Sequence, residues 1–388
     1  MLFRSTPGDA DLLSLYAEAT LIATDGDWWH KTTGQPQARI GDLTARLEAA
    51  LEQQPQHTGL NHYLVHTADA PPAAARAVAA ADRLALLAPA AAHLVHMPSH
   101  IYVRVGRYAD ATAVNEASVA ADLAFFDTLK TQGFDISKDW RGHNQSFLWF
   151  AALMQGRGDV ALAAARDLAS RATADHVYAE YQRSLPMQAL LRLERWDAVL
   201  AEPVITATGS PRGLALALAE GARGVAQTRT ARLADARQSL QRAEAGAALL
   251  ATRHAQPKGF DRALRDMAGS ALDRLRAEIA SAEGRHDDAV ALQGKAVAGA
   301  RRADESEPPM LAAGARLALG DLQLRAGRAA AAEQTFRADL AQQPGSGWAL
   351  DGVRRALLAQ GRDADAQTVQ AALAPAWRSA DAALLTRR

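Results

Sequence analysis

A six-residue signal recurs along this chain and dictates how it can fold: Gly106-Arg-Tyr-Ala-Asp-Ala111, Gly156-Arg-Gly-Asp-Val-Ala161, Gly284-Arg-His-Asp-Asp-Ala289, Gly327-Arg-Ala-Ala-Ala-Ala332 and Gly361-Arg-Asp-Ala-Asp-Ala366. Glu194-Arg-Trp-Asp-Ala198 is a variant without the glycine. Each copy follows one helical apolar pattern and precedes another. Glycine suits the left-handed position that closes a helix, and the alanine five residues later sits where the next helix must approach closely. The chain therefore reads as helix after helix joined by tight turns.

Composition agrees. Apolar residues make up 49% of the 388 residues but aromatics only 5%. Alanine and leucine dominate the apolar fraction, a mix suited to close helix packing and poor for sheet. Lys+Arg and Asp+Glu both total 43, so no basic field exists to attract nucleic acid or anionic lipid. Cysteine is absent, which excludes disulfides, thiolate metal sites and cysteine nucleophiles. The segment Met1 to Ala10 has no apolar core of the signal-peptide kind, and no run of about 18 apolar residues occurs. The expectation is a cytoplasmic protein with no nucleic-acid or membrane partner. Pairing through terminal repeats is left open.

Gly327 to Gly361 is a step of 34 residues. Together with Leu319, Gly320, Ala332, Phe336 and Pro344 it resembles the tetratricopeptide repeat, a helix–turn–helix unit of that length. The resemblance is strongest over residues 313–366, and good over 92–161 and 270–296. It implies an all-α, right-handed superhelix of about nine such pairs forming a single domain over 1–388. Histidine-rich repeats would occupy 1–175, and further repeats with a cap 176–388, closed by Pro375 and a polar tail. Insertions are expected at Asp25–Pro36 and Asp127–Asp139, with a solvated linker at Arg301–Pro309. The block His96-Met-Pro-Ser-His-Ile101 with Arg104-Val-Gly-Arg-Tyr108 resembles a bacterial subfamily of such repeat proteins, as does Glu307-Pro-Pro through Gly347-Trp-Ala-Leu350. That subfamily implies a fold and no activity. Its members carry further repeats before this start point, so residues upstream of Met1 are expected.

Six of the eleven histidines fall in three short stretches: Asn61 to His66, His93 to His100, and Arg141 to Asn144. His62/His66 and His96/His100 are each four residues apart, which stacks them on one helix face. The repeat register implied by the resemblance puts His93, His96, His100 and Arg104 toward the concave groove, and Val95, Pro98, Ser99 and Tyr102 inward. The same register places His143 in the groove, and anchoring on Ala77 and Pro89 adds His62, His66 and Asp69.

Three readings of this cluster stand open. Histidines can bond the backbone of neighbouring helices and so shape packing; Pro98 should kink its helix, with Ser99 and His96 near the break. Two histidine pairs four residues apart on adjacent helices are also how helical bundles grip transition metals such as Cu, Fe, Zn or Ni. The metal set would be His62, His66, His96, His100 and His143, with Asp69 as ligand or orienting group. A metalloenzyme with hydrolytic or oxidative chemistry then becomes possible. The third reading, which best matches the use of repeat grooves, is a binding or scaffold protein that takes a peptide, protein or small anionic ligand. Its contacts would be His93, Arg104, His143, Asp69, Tyr102 and, at the margin, Tyr63. Trp28 and Trp29 could form a lid over that groove, although anchoring onto a neighbouring repeat is the commoner use of such a pair. Trp348 is expected to pack in the cap. No HExxH, phosphate loop, nucleophile elbow or dinucleotide fingerprint is present.

Overall fold

The computed structural model describes residues 8–24, 28–30, 33–134, 142–172, 177–203, 213–253, 260–303 and 312–385. Among them no strand forms; a single antiparallel bridge joins Trp29 to Pro36. Among the described residues the chain is all-α, built of helices that pack in sequence-adjacent pairs, and it divides into two compact units. One is Met1–Ala151 with Gln342–Pro344, and the other is Ala152–Ala341 with Gly345–Arg388.

The first unit contains α1 (Ala10–Ala23), α2 (Ile40–Gln53), α3 (Thr58–Thr67), α4 (Val78–Leu87), α5 (Ala92–His96), α6 (Pro98–Val105) and α7 (Tyr108–Thr131), and the first turns of α8 (His143–Gln155). The second contains α9 (Gly158–Arg171), α10 (Val177–Arg192), α11 (Trp196–Ala201), α12 (Gly213–Arg229), α13 (Leu233–Arg253), α14 (Phe260–Ala282) and α15 (His286–Ala303). It continues with α16 (Ala312–Arg325), α17 (Ala329–Gln342), α18 (Gly347–Leu358), α19 (Asp363–Ala376) and α20 (Ala382–Leu385). Sequence neighbours pack as pairs, among them α12 on α13, α14 on α15 and α18 on α19.

The recurrent signal explains the pairing. Gly106 closes α6 in the left-handed region, at φ 80°. The next residue, Arg107, donates its N–H to the Tyr102 carbonyl at 2.8 Å, a bond that reaches back over the last turn. The carbonyl of Arg107 accepts from the N–H of Ala111 at 3.0 Å and so starts α7. One arginine thus ends one helix and opens the next. Arg157, Arg195, Arg232, Arg285, Arg328 and Arg362 make the same two backbone bonds. The residue five positions after the turn is always buried: Ala111, Ala161, Val199, Ala236, Ala289, Ala332 and Ala366 are all at most 3% exposed. Glu194 and Ala231 hold the left-handed position at φ 54° and 60° without being glycine.

The described helices differ from expectation in three places. Asp127 to Thr131 belong to the end of α7, so the second insertion starts later; 135–139 lie outside the described residues. Most of the Arg301–Pro309 segment lies outside them too, and its first residues end α15. Pro375 lies within α19, where the helix runs on to Ala376. Trp348 is buried in the second unit, donating to the Leu153 carbonyl at 2.8 Å and stacking edge-on to Trp377. No helix among the described residues is long and apolar enough to cross a membrane.

Candidate functional site

Six histidines of the first unit form two triads. His62, His66 and His93 make one, and His96, His100 and His143 the other; within each, one nitrogen per ring lies within 4.8 Å of the others. Helix geometry supplies most of this. His62 and His66 are one turn apart on α3, so their rings share a face, and their Nε2 atoms are 3.0 Å apart. His93 on α5 reaches across to put its Nε2 3.1 Å from that of His62.

Pro98 shapes the second triad. Lacking an N–H, it ends the hydrogen-bonding of α5 at His96 and becomes the first residue of α6. Met97 between them stays right-handed helical, at φ −49° and ψ −40°, so the path continues through the break. His96 and His100 therefore still face the same way, with Nε2 atoms 3.0 Å apart. His143, the first residue of α8, brings its Nε2 to 3.5 Å from that of His100.

The far sides of the rings in the second triad are held by other groups. Asn115 of α7 donates its amide N–H to the Ala111 carbonyl at 2.7 Å, which turns its Oδ1 toward His96. His96 Nδ1 donates to that oxygen at 2.7 Å, so its proton sits on Nδ1 and its Nε2 is a bare lone pair. The Ser99 hydroxyl lies 3.3 Å from the same Nδ1. His100 Nδ1 donates to Asp69 Oδ2 at 2.8 Å, while Arg104 Nε donates to Asp69 Oδ1 at 2.9 Å. Both ring orientations are thus set from behind, with Nε2 aimed at the centre. Phe147 of α8 packs against the rings of His96, His100 and His143, with centroids 4.8, 4.4 and 5.1 Å away.

Burial sets the charge of these rings. His96 is fully buried and His100 is 6% exposed, whereas His93 and His143 are exposed and His62 and His66 half-buried. Loss of water, then the neighbouring histidines, lower His62 to about 4, His66 to about 3 and His143 to about 4. His93 is lowered by the same causes, and His96 falls well below its ordinary value. Burial alone would raise the Asp69 carboxyl, but the charges and hydrogen bonds of His100 and Arg104 hold it below the usual range.

The remaining sequence candidates are not members of the triads. Tyr102 is buried, donates to Asp82 at 2.8 Å, and carries the Arg107 guanidinium over its ring at 4.4 Å. Trp28 donates to the Thr24 hydroxyl and Trp29 to the Thr67 carbonyl at the end of α3, both at 2.8 Å. Tyr63 lies against His62, its ring tilted by 45° with centroids 4.8 Å apart. Arg104 is engaged by Asp69. Asn115 and Phe147 escape a reading of the sequence. The signal for the first is a run of polar residues, Thr112, Asn115 and Ser118, at helical spacing on the buried face of α7.

No protein-family model and no curated protein sequence matches the chain. Among solved structures, it is similar to a chain in the "Crystal structure of APC/C hetero-tetramer Cut9-Hcn1", at 13% identity and a TM-score of 0.33. That match covers 98% of this chain and 55% of the other, so the chain spans little more than half the length of that relative.

Proposed function

We propose that the protein is a metalloprotein whose first unit holds two transition-metal ions, one on each histidine triad. The observation that carries this is the 3.0 Å approach of His96 Nε2 to His100 Nε2. Each ring has its Nδ1 committed to a neighbour, so their Nε2 lone pairs face each other. Two such lone pairs repel unless a cation lies between them, a proton or a metal ion. Three nitrogens bound at 2.0–2.1 Å to a tetrahedral ion would be about 3.3 Å apart. The observed 3.0, 3.1 and 3.5 Å separations are near that value. Nitrogen-only ligands suit Cu, Zn, Ni or Fe(II) and are poor for Mg or Ca. Asn115 and Asp69 fill the supporting role that bound histidines need from their second nitrogen.

The peptide or anion reading draws less support. Burial pushes His62, His66, His93, His96 and His143 toward the neutral form, in which they offer lone pairs to a metal but no positive charge to a carboxylate or phosphate. The cation nearest to them, Arg104, is bonded to Asp69.

Elemental analysis of protein purified without a His tag tests the proposal, with two equivalents expected after loading. His96→Ala/His100→Ala should lose one equivalent, and His62→Ala/His66→Ala the other. Folded wild-type protein that takes up no copper, zinc or nickel in equilibrium dialysis refutes it.

A further inference from the structure

We infer that the two triads form a single coupled dicopper(I) centre that takes up dioxygen as a bridging peroxide. This rests on the metal-binding reading above and adds the ion, its oxidation state and the ligand.

The first argument is adjacency. His93 belongs to one triad and His96 to the other, yet they are three residues apart on one helical path. Three residues rise about 4.5 Å along a helix, so the two triads are neighbours along one helical path.

The second argument is charge. The six ligand rings are neutral as ligands. The nearest carboxylate, Asp69, already answers Arg104 and His100. Asp122 on α7 accepts from the Asn144 amide at 2.9 Å. Two divalent ions would bring four positive charges to this part-buried place; two copper(I) ions bring two. Burial penalises each uncompensated charge, so the monovalent ion is favoured. Copper(I) is also content with three imidazole nitrogens, which leaves an open position on each ion.

The third argument is what can enter. Phe147 walls the second triad with an apolar ring, and His93 and His143 at the rim are exposed. A small apolar molecule fits that description, and dioxygen is one that two copper(I) ions can reduce. Each ion gives one electron and becomes copper(II). The two electrons break the O–O π bond and leave a peroxide dianion bridging both ions. Charge before is +2, and after is +4 from copper and −2 from peroxide. The net charge is unchanged, so no proton or counter-ion has to enter.

The test loads intact protein with two equivalents of copper(I) without oxygen, then admits air. The expected result is one dioxygen consumed per two coppers. An intense near-ultraviolet absorption should appear that the anaerobic protein lacks, with little paramagnetic signal because the two copper(II) spins couple. His93→Ala changes an exposed ligand of one triad only. It should keep the other copper and lose both the stoichiometric uptake and the absorption. Two bound coppers with no oxygen uptake, or with two isolated copper(II) signals after air, overturn this inference and leave the metal-binding reading intact. Uptake at the same one-to-two ratio in His93→Ala also overturns it. Protein that binds no copper at all overturns the reading beneath it.

Discussion

At the scale of single residues, the site depends on groups that would never touch a bound ion. Asn115 spends its N–H on the Ala111 carbonyl and its oxygen on His96, and that choice fixes which nitrogen of His96 is bare. Asn115→Ala should therefore weaken metal binding at the enclosed triad by about 10–100-fold, while Asn115→Asp keeps an acceptor and most of the affinity. Competition against a chromophoric chelator reads both. A second consequence concerns the metal-free protein. His62, His66 and His143 are pushed down to about 4, 3 and 4 in the fold but titrate near 6.5 when unfolded. Between these values the unfolded chain binds more protons, so the stability conferred by neutral rings is present above about pH 6.5 and is lost as the pH falls toward 4. The denaturant midpoint of metal-free protein should drop across that window. His62→Gln/His66→Gln should flatten the drop, and a midpoint that ignores pH there contradicts the burial of these rings.

At the scale of elements, the turn between helices asks for a left-handed residue, and two turns lack glycine. Such a conformation costs an L-residue roughly 1–2 kcal/mol. Ala231→Gly and Glu194→Gly should each stabilise by about 0.5–1 kcal/mol, read as a rise in Tm. The reverse holds where glycine makes room for a neighbour. A Cβ on Gly352 would lie 2.4 Å from the buried Phe336 ring, and Gly352→Ala should cost about 1–3 kcal/mol in urea unfolding. These positions also show what was legible beforehand. Five turns announce themselves by glycine, but Ala231 does not, because alanine carries no signal for a left-handed backbone. The arginine after it does, since its backbone makes the same two bonds at every turn. The histidines were legible as a set and as two helical pairs. Their sorting into triads was not, because it depends on how α3, α5 and α8 are rotated against one another. Repeat register put His96 on a groove face, whereas α7 and Phe147 enclose it completely.

At the scale of the molecule, all six histidines lie in the first compact unit, together with Asp69, Asn115 and Phe147. Metal binding should raise the stability of that unit in proportion to the logarithm of free metal over Kd, about 4 kcal/mol at a thousandfold excess. Hydrogen exchange should accordingly slow most across residues 58–151. Protection spread evenly over the chain would speak against ions on the triads. The arginine shared by consecutive helices has a consequence for how such a protein can change over generations. No residue in those turns is spare: adding or deleting one breaks a backbone bond on each side and rotates the following helix by about 100°. Length variation among relatives should therefore avoid the Gly-Arg junctions and gather in the connections between pairs. A library of single-residue insertions, scored for soluble expression, should be blank at seven evenly built sites.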